Sequence, residues 1–285
     1  MRVGLVGQRG NSRAASIVAD ICERLEGEGV DLAVDETTAE TLESTWSAGL
    51  PAPATLGVSV DEMADCDLVV SIGGDGTFLF TARGAGSTPI IGVNLGEVGF
   101  LNAVPPEDAV DVVASEVDTA QREGRIDARE MPRIQAAGAD WTLAPALNEV
   151  VVQGPRRGHA GGAAVEVRVD GSLYTSGETD GVIVATPTGS TAYNLSEGGP
   201  LVHPDIGSLV VTEMCADDSM PSLAVSADST VTVRVESADG GYAVSDGRAR
   251  QELDTPTQVT VERADEPVRV AGPPLDFFAA LSKIE

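Results

Sequence analysis

The chain has 285 residues, 45 of them acidic and 18 basic, for a formal net charge of −27. So little positive charge excludes a broad basic face for nucleic acid, and an anionic membrane would repel the chain. A hydrophobic content of 42% argues for a packed core and against disorder, in one large or two moderate domains.

Strand and helix signals alternate over the first 110 or so residues. Arg2 to Val6 reads as a strand that ends in a glycine-rich turn, Gly7 to Asn11. Ser12 to Glu26 carries Ile17, Ile21 and Leu25 at helical spacing and stops at Gly27 and Gly29. Val30 to Val34 is a second strand, Thr37 to Leu42 a helix, and Ser47 to Gly57 a Gly/Pro-rich loop. Leu68 to Ile72 and Pro89 to Val93 are continuous apolar runs, as expected of strands buried on both faces. Pro106 to Gln121 is helical. This order predicts a doubly wound α/β domain with a parallel sheet over residues 1–125.

The pattern then changes. Val165 to Val169 alternates with period two and meets Asp170-Gly171, a hairpin signal. Val231 to Val235, Tyr242 to Val244, Gln258 to Val261 and Val268 to Val270 continue the theme. The expectation for residues 126–270 is an antiparallel β-sandwich domain. The tail, 271–285, has Phe277, Phe278 and Leu281 at helical spacing and is expected to pack back on a domain.

Of the 18 basic residues only Lys283 is a lysine. Self-repulsion destabilises so acidic a chain unless salt screens it, and at molar salt the Debye length is about 3 Å. The charge therefore points to a salt-rich cytoplasm, as in halophiles. Cys22, Cys66 and Cys215 are far apart, so neither a disulfide framework nor a zinc site is indicated. Met1 to Gly10 lacks the apolar stretch of a signal peptide, and no apolar run approaches the roughly 20 residues of a membrane span. A soluble, cytoplasmic protein is expected.

Four segments carry candidate chemistry. Gly73-Gly74-Asp75-Gly76-Thr77 follows a buried strand, where parallel sheets bind ligands and glycines admit a ligand to the backbone. Asp75 suits a general base for phosphoryl transfer or a contact through a metal; the plainer alternative is an N-cap on a tight turn. Gly92 to Leu101 follows the next strand, with Asn94 as a possible amide contact between flexible glycines. Asn148 and Glu149 offer donors and acceptors for sugar hydroxyls or a base edge, or are a polar pair at a strand start. In Asp180 to Ser196, Thr188, Ser190 and Thr191 near a helix start suit a phosphate or ribose, and Tyr193 suits stacking on a ring. GxxxxGK[ST], GxGxxG, HRD/DFG and GxSxG motifs are absent from the sequence.

Together these segments resemble the NAD kinase family, which phosphorylates the 2′-hydroxyl of the adenosine ribose of NAD to make NADP. The matches are GGDGT at Gly73–Thr77, GVNLGEVGFL at Gly92–Leu101, LNEVVV at Leu147–Val152 and DGVIVATPTGSTAYNLSEGGP at Asp180–Pro200, with FFAALSKI like the family's tail. GGDGT alone is shared with lipid kinases of the diacylglycerol and sphingosine type. A lipid kinase on this domain, or a dinucleotide sensor without catalysis, are the alternative readings.

The resemblance implies Asp75 as general base, with Gly73, Gly74, Gly76, Thr77 and Asn94 around the nucleotides. It implies Asn148, Glu149 and His159 as NAD contacts and Asp180 as a ligand of the nicotinamide half. Thr191, Ala192, Tyr193, Asn194, Leu195 and Ser196 would wrap the nucleotide, and Arg248 lies near a position where relatives carry a contact. Glu178 departs from the family, where Arg or Lys is common; either another Arg, Arg156 or Arg157, or cations bound at high salt would then compensate. The resemblance further implies ATP or polyphosphate as donor and a homodimer or homotetramer with the NAD site near a subunit interface. With little lysine to neutralise the donor, Mg²⁺ or a similar divalent ion is expected on the phosphate oxygens, with no protein metal site.

Overall fold

The computed structural model describes residues 1–45, 55–96, 99–155, 162–215, 220–237 and 239–283. Most of the Gly/Pro-rich loop and all of His159, Arg156 and Arg157 lie outside the described residues. The chain forms two compact units, Met1–Glu130 with Val268–Glu285, and Met131–Pro267.

The first unit is built on a seven-stranded sheet. Its strands are β1 (Arg2–Gly7), β2 (Asp31–Asp35), β3 (Thr55–Val58), β4 (Leu68–Gly73), β5 (Ile90–Asn94), β6 (Ala128–Met131) and the late strand Val268–Ala271, β18. Their order is β3-β2-β1-β4-β5-β18-β6. The pairs from β3 through β18 are parallel. Helix α1 (Ser12–Leu25) starts where Asn11 accepts the Arg13 and Ala14 N–H groups, and buries Ile17, Val18, Ile21 and Leu25 on the sheet. Helices α2 (Glu36–Thr45), α3 (Asp75–Ala85) and α4 (Ala109–Glu123) complete the covering layers. Every residue of β4 is buried, which is why it reads as an unbroken apolar run.

The chain winds outward through β2 and β3 and then returns to place β4 on the other side of β1. The carboxyl ends of β1 and β4 therefore flank a topological switch point, where open α/β sheets bind ligands. There the Gln8 N–H donates to Ile72 O at 2.8 Å, joining the loop after β1 to the end of β4.

The second unit has two sheets. The first, in order β10-β9-β14-β17-β7, contains β7 (Ile134–Ala137), β9 (Ala163–Val169), β10 (Ser172–Thr179), β14 (Val231–Ser237) and β17 (Thr257–Arg263). The second, in order β13-β12-β11-β8-β15-β16, contains β8 (Glu149–Gln153), β11 (Gly181–Ala185), β12 (Ser208–Met214), β13 (Leu223–Ser226), β15 (Gly241–Ser245) and β16 (Ala249–Leu253). Strand pairing is antiparallel in both. Val165, Val167, Val231 and Val233 of one sheet share a core with Val150, Val152, Val182 and Val184 of the other. This is the expected sandwich. The opposite face of the second sheet buries Val151, Ile183 and Val210 under Val202 and Tyr193. Strands β8 and β11 are thus covered on both sides.

One strand assignment needs correction. Val268 to Val270 was expected in the antiparallel sandwich, but β18 lies parallel to β5 with Val270 opposite Ile90. Period-two alternation predicts a strand and not which sheet receives it. The β-rich unit accordingly closes at Pro267, and the tail returns to the first unit as α6 (Phe277–Leu281). There Phe277 packs on Phe100, ring centroids 6.0 Å apart.

Candidate active site

In the first unit, Gly74 is the N-cap of α3 and Asp75 its first residue. Asp75 does not cap the helix. Its carboxylate reaches the segment after β5, accepting the Phe100 N–H on Oδ2 at 2.9 Å and, on Oδ1, the Leu101 N–H and an Asn102 Nδ2–H, both at 3.2 Å. A carboxylate has about four acceptor positions, so Oδ2 retains one for a further donor. Burial pushes the Asp75 carboxyl above its ordinary range, while the hydrogen bonds from Phe100, Leu101 and Asn102 pull it back. The Phe277 ring braces the Phe100 end of this clasp.

The glycines around Asp75 differ in purpose. A Cβ on Gly73 would collide with Thr77, so that residue is glycine for packing. A Cβ on Gly74 or Gly76 would meet no described atom within 4 Å. The protein leaves that side of the loop open, as a phosphate cradle requires. Asn94 serves its own loop: its Oδ1 accepts the Gly96 N–H at 2.9 Å. Asn102, which the sequence reading passed over, is the side chain that reaches Asp75. It stands one residue past the point where the GVNLGEVGFL motif was cut.

In the second unit, Asn148 and Glu149 stand at the entrance to β8. Three consecutive N–H groups there donate to one carboxylate: Leu147 to Asp246 Oδ2 at 2.9 Å, and Asn148 and Glu149 to Asp246 Oδ1 at 2.8 and 3.2 Å. The Asn148 carbonyl accepts the Thr186 N–H at 2.9 Å, and the Thr186 hydroxyl donates to Leu147 O at 2.6 Å. A Cβ on Gly189 would strike the Asn148 carbonyl. The NE pair and the TPTGST loop are therefore one interlocked piece.

Glu149 is only 7% exposed. Its carboxylate accepts the Tyr193 N–H, while Oε2 is buried with no hydrogen-bond partner. Burial, reinforced by the nearby Asp246 charge, pushes the Glu149 carboxyl up to about 7. An orphaned acceptor this deep costs stability and is a feature of sites that wait for a ligand.

The hydroxyl-rich loop differs from its sequence reading. Ser190 Oγ donates to Val202 O, Thr191 Oγ1 donates to Thr188 O, and Asn194 is fully buried, accepting from the Thr212 hydroxyl at 2.8 Å and donating to Pro200 O. Each of these side chains has a partner within the protein and helps to build the loop. The expected helix start is only a four-residue turn, Tyr193–Ser196, and the Tyr193 ring packs on the sheet. Composition counted the hydroxyls without showing their direction. Ala192, Leu195 and the exposed Ser196 border the same turn. Asp180 precedes β11, and the register sets Gly181 opposite Gln153 and Ala185 opposite Glu149. At about 3.3 Å per residue, Asp180 lies roughly 16 Å along the ladder from Glu149. Arg248 is exposed on the β15–β16 turn, and Glu178 is exposed on β10.

Comparison with known proteins supports the two-part reading. The model of the ATP-NAD kinase N-terminal domain matches residues 3–118, and that of the C-terminal domain residues 147–272. The NAD kinase of Haloarcula marismortui is 59% identical over 286 residues, covering 100% of both chains. An NAD kinase from Archaeoglobus fulgidus, solved in complex with ATP, has a TM-score of 0.74 at 25% identity and covers 100% of both chains. A yeast NADH kinase complexed with NADH has a TM-score of 0.83 at 22% identity, covering 100% of this chain and 87% of that one, and speaks for the fold.

A half-buried carboxylate at a glycine loop, together with the matched kinase domains, defines a phosphotransferase that acts on an alcohol group. The chain belongs to the NAD kinase family.

Proposed function

We propose that this enzyme transfers the γ-phosphoryl group of ATP to the 2′-hydroxyl of the adenosine ribose of NAD, giving NADP, with Asp75 as general base. The observation that carries the reading is the half-buried Asp75 carboxylate, which is raised above its ordinary range and keeps one acceptor position on Oδ2. The 2′-hydroxyl donates to that position. As its oxygen bonds to the γ-phosphorus, the bond from phosphorus to the β,γ-bridging oxygen breaks and ADP leaves. The proton passes to Asp75. A placed base of this kind contributes about 10²- to 10⁴-fold.

The open backbone at Gly74 and Gly76 receives the donor phosphates, and the ATP complex of the Archaeoglobus relative supports ATP over polyphosphate. Among the described residues no group of three or more His, Cys, Asp or Glu is arranged to hold a metal. The divalent ion of this reading is carried by the phosphate oxygens of the donor. Bound there, Mg²⁺ would neutralise charge on the donor.

Asn148 and Glu149 hold NAD, with Glu149 Oε2 as an acceptor for a sugar hydroxyl. Asp180 suits the nicotinamide half of an extended dinucleotide, given its distance from Glu149. The family's shared sites imply a homodimer or homotetramer, and the −27 charge a salt-rich cytoplasm. No helix among the described residues is long and apolar enough to cross a membrane. The test is NADP formation from NAD and ATP with Mg²⁺ in molar KCl, wild type beside Asp75→Asn. Turnover nearly lost in a variant that still binds NAD supports the base. Undiminished turnover rejects it.

A further inference from the structure

Asp246 closes the β15–β16 hairpin. It adopts a left-handed backbone, φ 45°, followed by Gly247 at φ 65°, and the Arg248 N–H returns to Ser245 O at 3.0 Å. Asp is among the few residues that tolerate this conformation, and Asp-Gly is a favoured pair for such a turn. Nothing in the turn itself requires the carboxylate to point anywhere. Yet that carboxylate crosses about a hundred residues of sequence to take the N–H groups of Leu147, Asn148 and Glu149. The Asp246 N–H in turn donates to Glu149 O at 3.0 Å. Four hydrogen bonds thus fix both ends of the NE pair to one residue. The pair carries a buried acceptor with no hydrogen-bond partner, Glu149 Oε2.

We infer that Asp246 is a positioning residue for NAD: its carboxylate and its N–H lock the backbone of Asn148 and Glu149, the pair that meets the dinucleotide. The inference rests on the NAD-contact reading of that pair. Its physical logic has two parts. First, the three successive N–H groups at the start of β8 are satisfied by one carboxylate, which fixes the backbone of the pair. Second, a negative charge beside a buried carboxyl favours its neutral form. The groups facing Glu149 are the Asp246 carboxylate from the β15–β16 turn and the Tyr193 N–H from the short helix. Arg133, itself buried and bonded to Glu266 O at 2.7 Å, lies near enough to feel the charge of Asp246. An ionised Glu149 accepts sugar hydroxyls more strongly than a neutral one. NAD affinity should therefore rise as pH rises through the Glu149 titration, and weakening Asp246 should move that rise to lower pH. A residue that only held the fold together would weaken binding without moving the titration.

The experiment is NAD binding by calorimetry in molar KCl between pH 5.5 and 8.5, on wild type, Asp246→Asn, Glu149→Gln and the double variant. The KM for ATP is measured in parallel, with amide exchange of Leu147, Asn148 and Glu149. Asp246→Asn puts an amide donor against the Leu147 N–H and removes the charge. It is expected to weaken NAD at least tenfold, leave the KM for ATP within twofold, and lower the pH midpoint of NAD affinity. Glu149→Gln and the double variant should bind NAD with no pH dependence in this range. The three amides should exchange at least tenfold faster in Asp246→Asn. NAD affinity within twofold of wild type, or an unmoved midpoint in folded Asp246→Asn, would overturn the inference. So would a wild-type pH profile in Glu149→Gln, which tests it even if Asp246→Asn fails to fold. Wild-type protein that binds no NAD would instead reject the NAD-contact reading, while the amide exchange still reports on the clasp.

Discussion

Replacing Glu149 by Gln should stabilise the folded protein, by an amount that grows with pH. The Glu149 carboxyl is raised from its ordinary 4.5 to about 7 by burial and by the charge of Asp246. A group whose folded pKa is raised contributes its stability below the unfolded pKa and loses it as pH rises through the folded one. The loss therefore spreads from about pH 4.5 to pH 7. A rise of that size corresponds to about 3 kcal/mol of differential stability. Gln keeps the shape, can still accept the Tyr193 N–H, and carries no charge to bury. At pH 4.5 the two proteins should melt together. At pH 8 the variant should melt higher by roughly 6–12 °C, at about 2–4 °C per kcal/mol for a chain of this size class. The assay is thermal denaturation followed by circular dichroism in molar KCl without nucleotide. A stability difference independent of pH, or a variant less stable at pH 8, would refute the reasoning.

Other outcomes follow from the same contacts. Asn102→Ala removes a hydrogen bond to the ionised Asp75; the acid limb of kcat should move to higher pH, and kcat at neutral pH should fall by about tenfold, consistent with a charged hydrogen bond of about 1.5 kcal/mol. Gly189→Ala drives a methyl into the Asn148 carbonyl; NAD affinity should fall more than the KM for ATP rises, measured by calorimetry and steady-state kinetics. Excess chelator should abolish turnover while leaving NAD bound, and added Mg²⁺ should restore it; full activity in chelator would defeat the metal requirement. Lowering KCl from molar to 0.1 M lengthens the Debye length from about 3 to about 10 Å and should lower Tm in both units through acid–acid repulsion.

Much of this molecule is legible in its residues because the signals are local. The run Leu68–Ile72 announces a strand covered on both faces, and Ile17, Ile21 and Leu25 announce α1. Asp170-Gly171 marks the β9–β10 hairpin, and both residues do adopt positive φ. Asp75 stands out because a carboxylate in a glycine loop has few structural uses. What escaped is long-range. Val268–Ala271 looks like its sandwich neighbours, and only packing in the first unit decides that it joins β5. Asp246 reads as half of a turn signal, since nothing nearby in sequence shows that its carboxylate meets Leu147, Asn148 and Glu149. Ser190 reads as one hydroxyl among several, and only the fold shows it bonded to the Val202 carbonyl.

The most direct test of the account is single-turnover NADP formation by Asp75→Asn beside wild type, with saturating NAD, ATP and Mg²⁺ in molar KCl, and NAD binding measured on both. The base assignment predicts a rate reduced by about 10²- to 10⁴-fold with NAD affinity held within about threefold. An Asp75→Asn enzyme that forms NADP at close to the wild-type rate would contradict it.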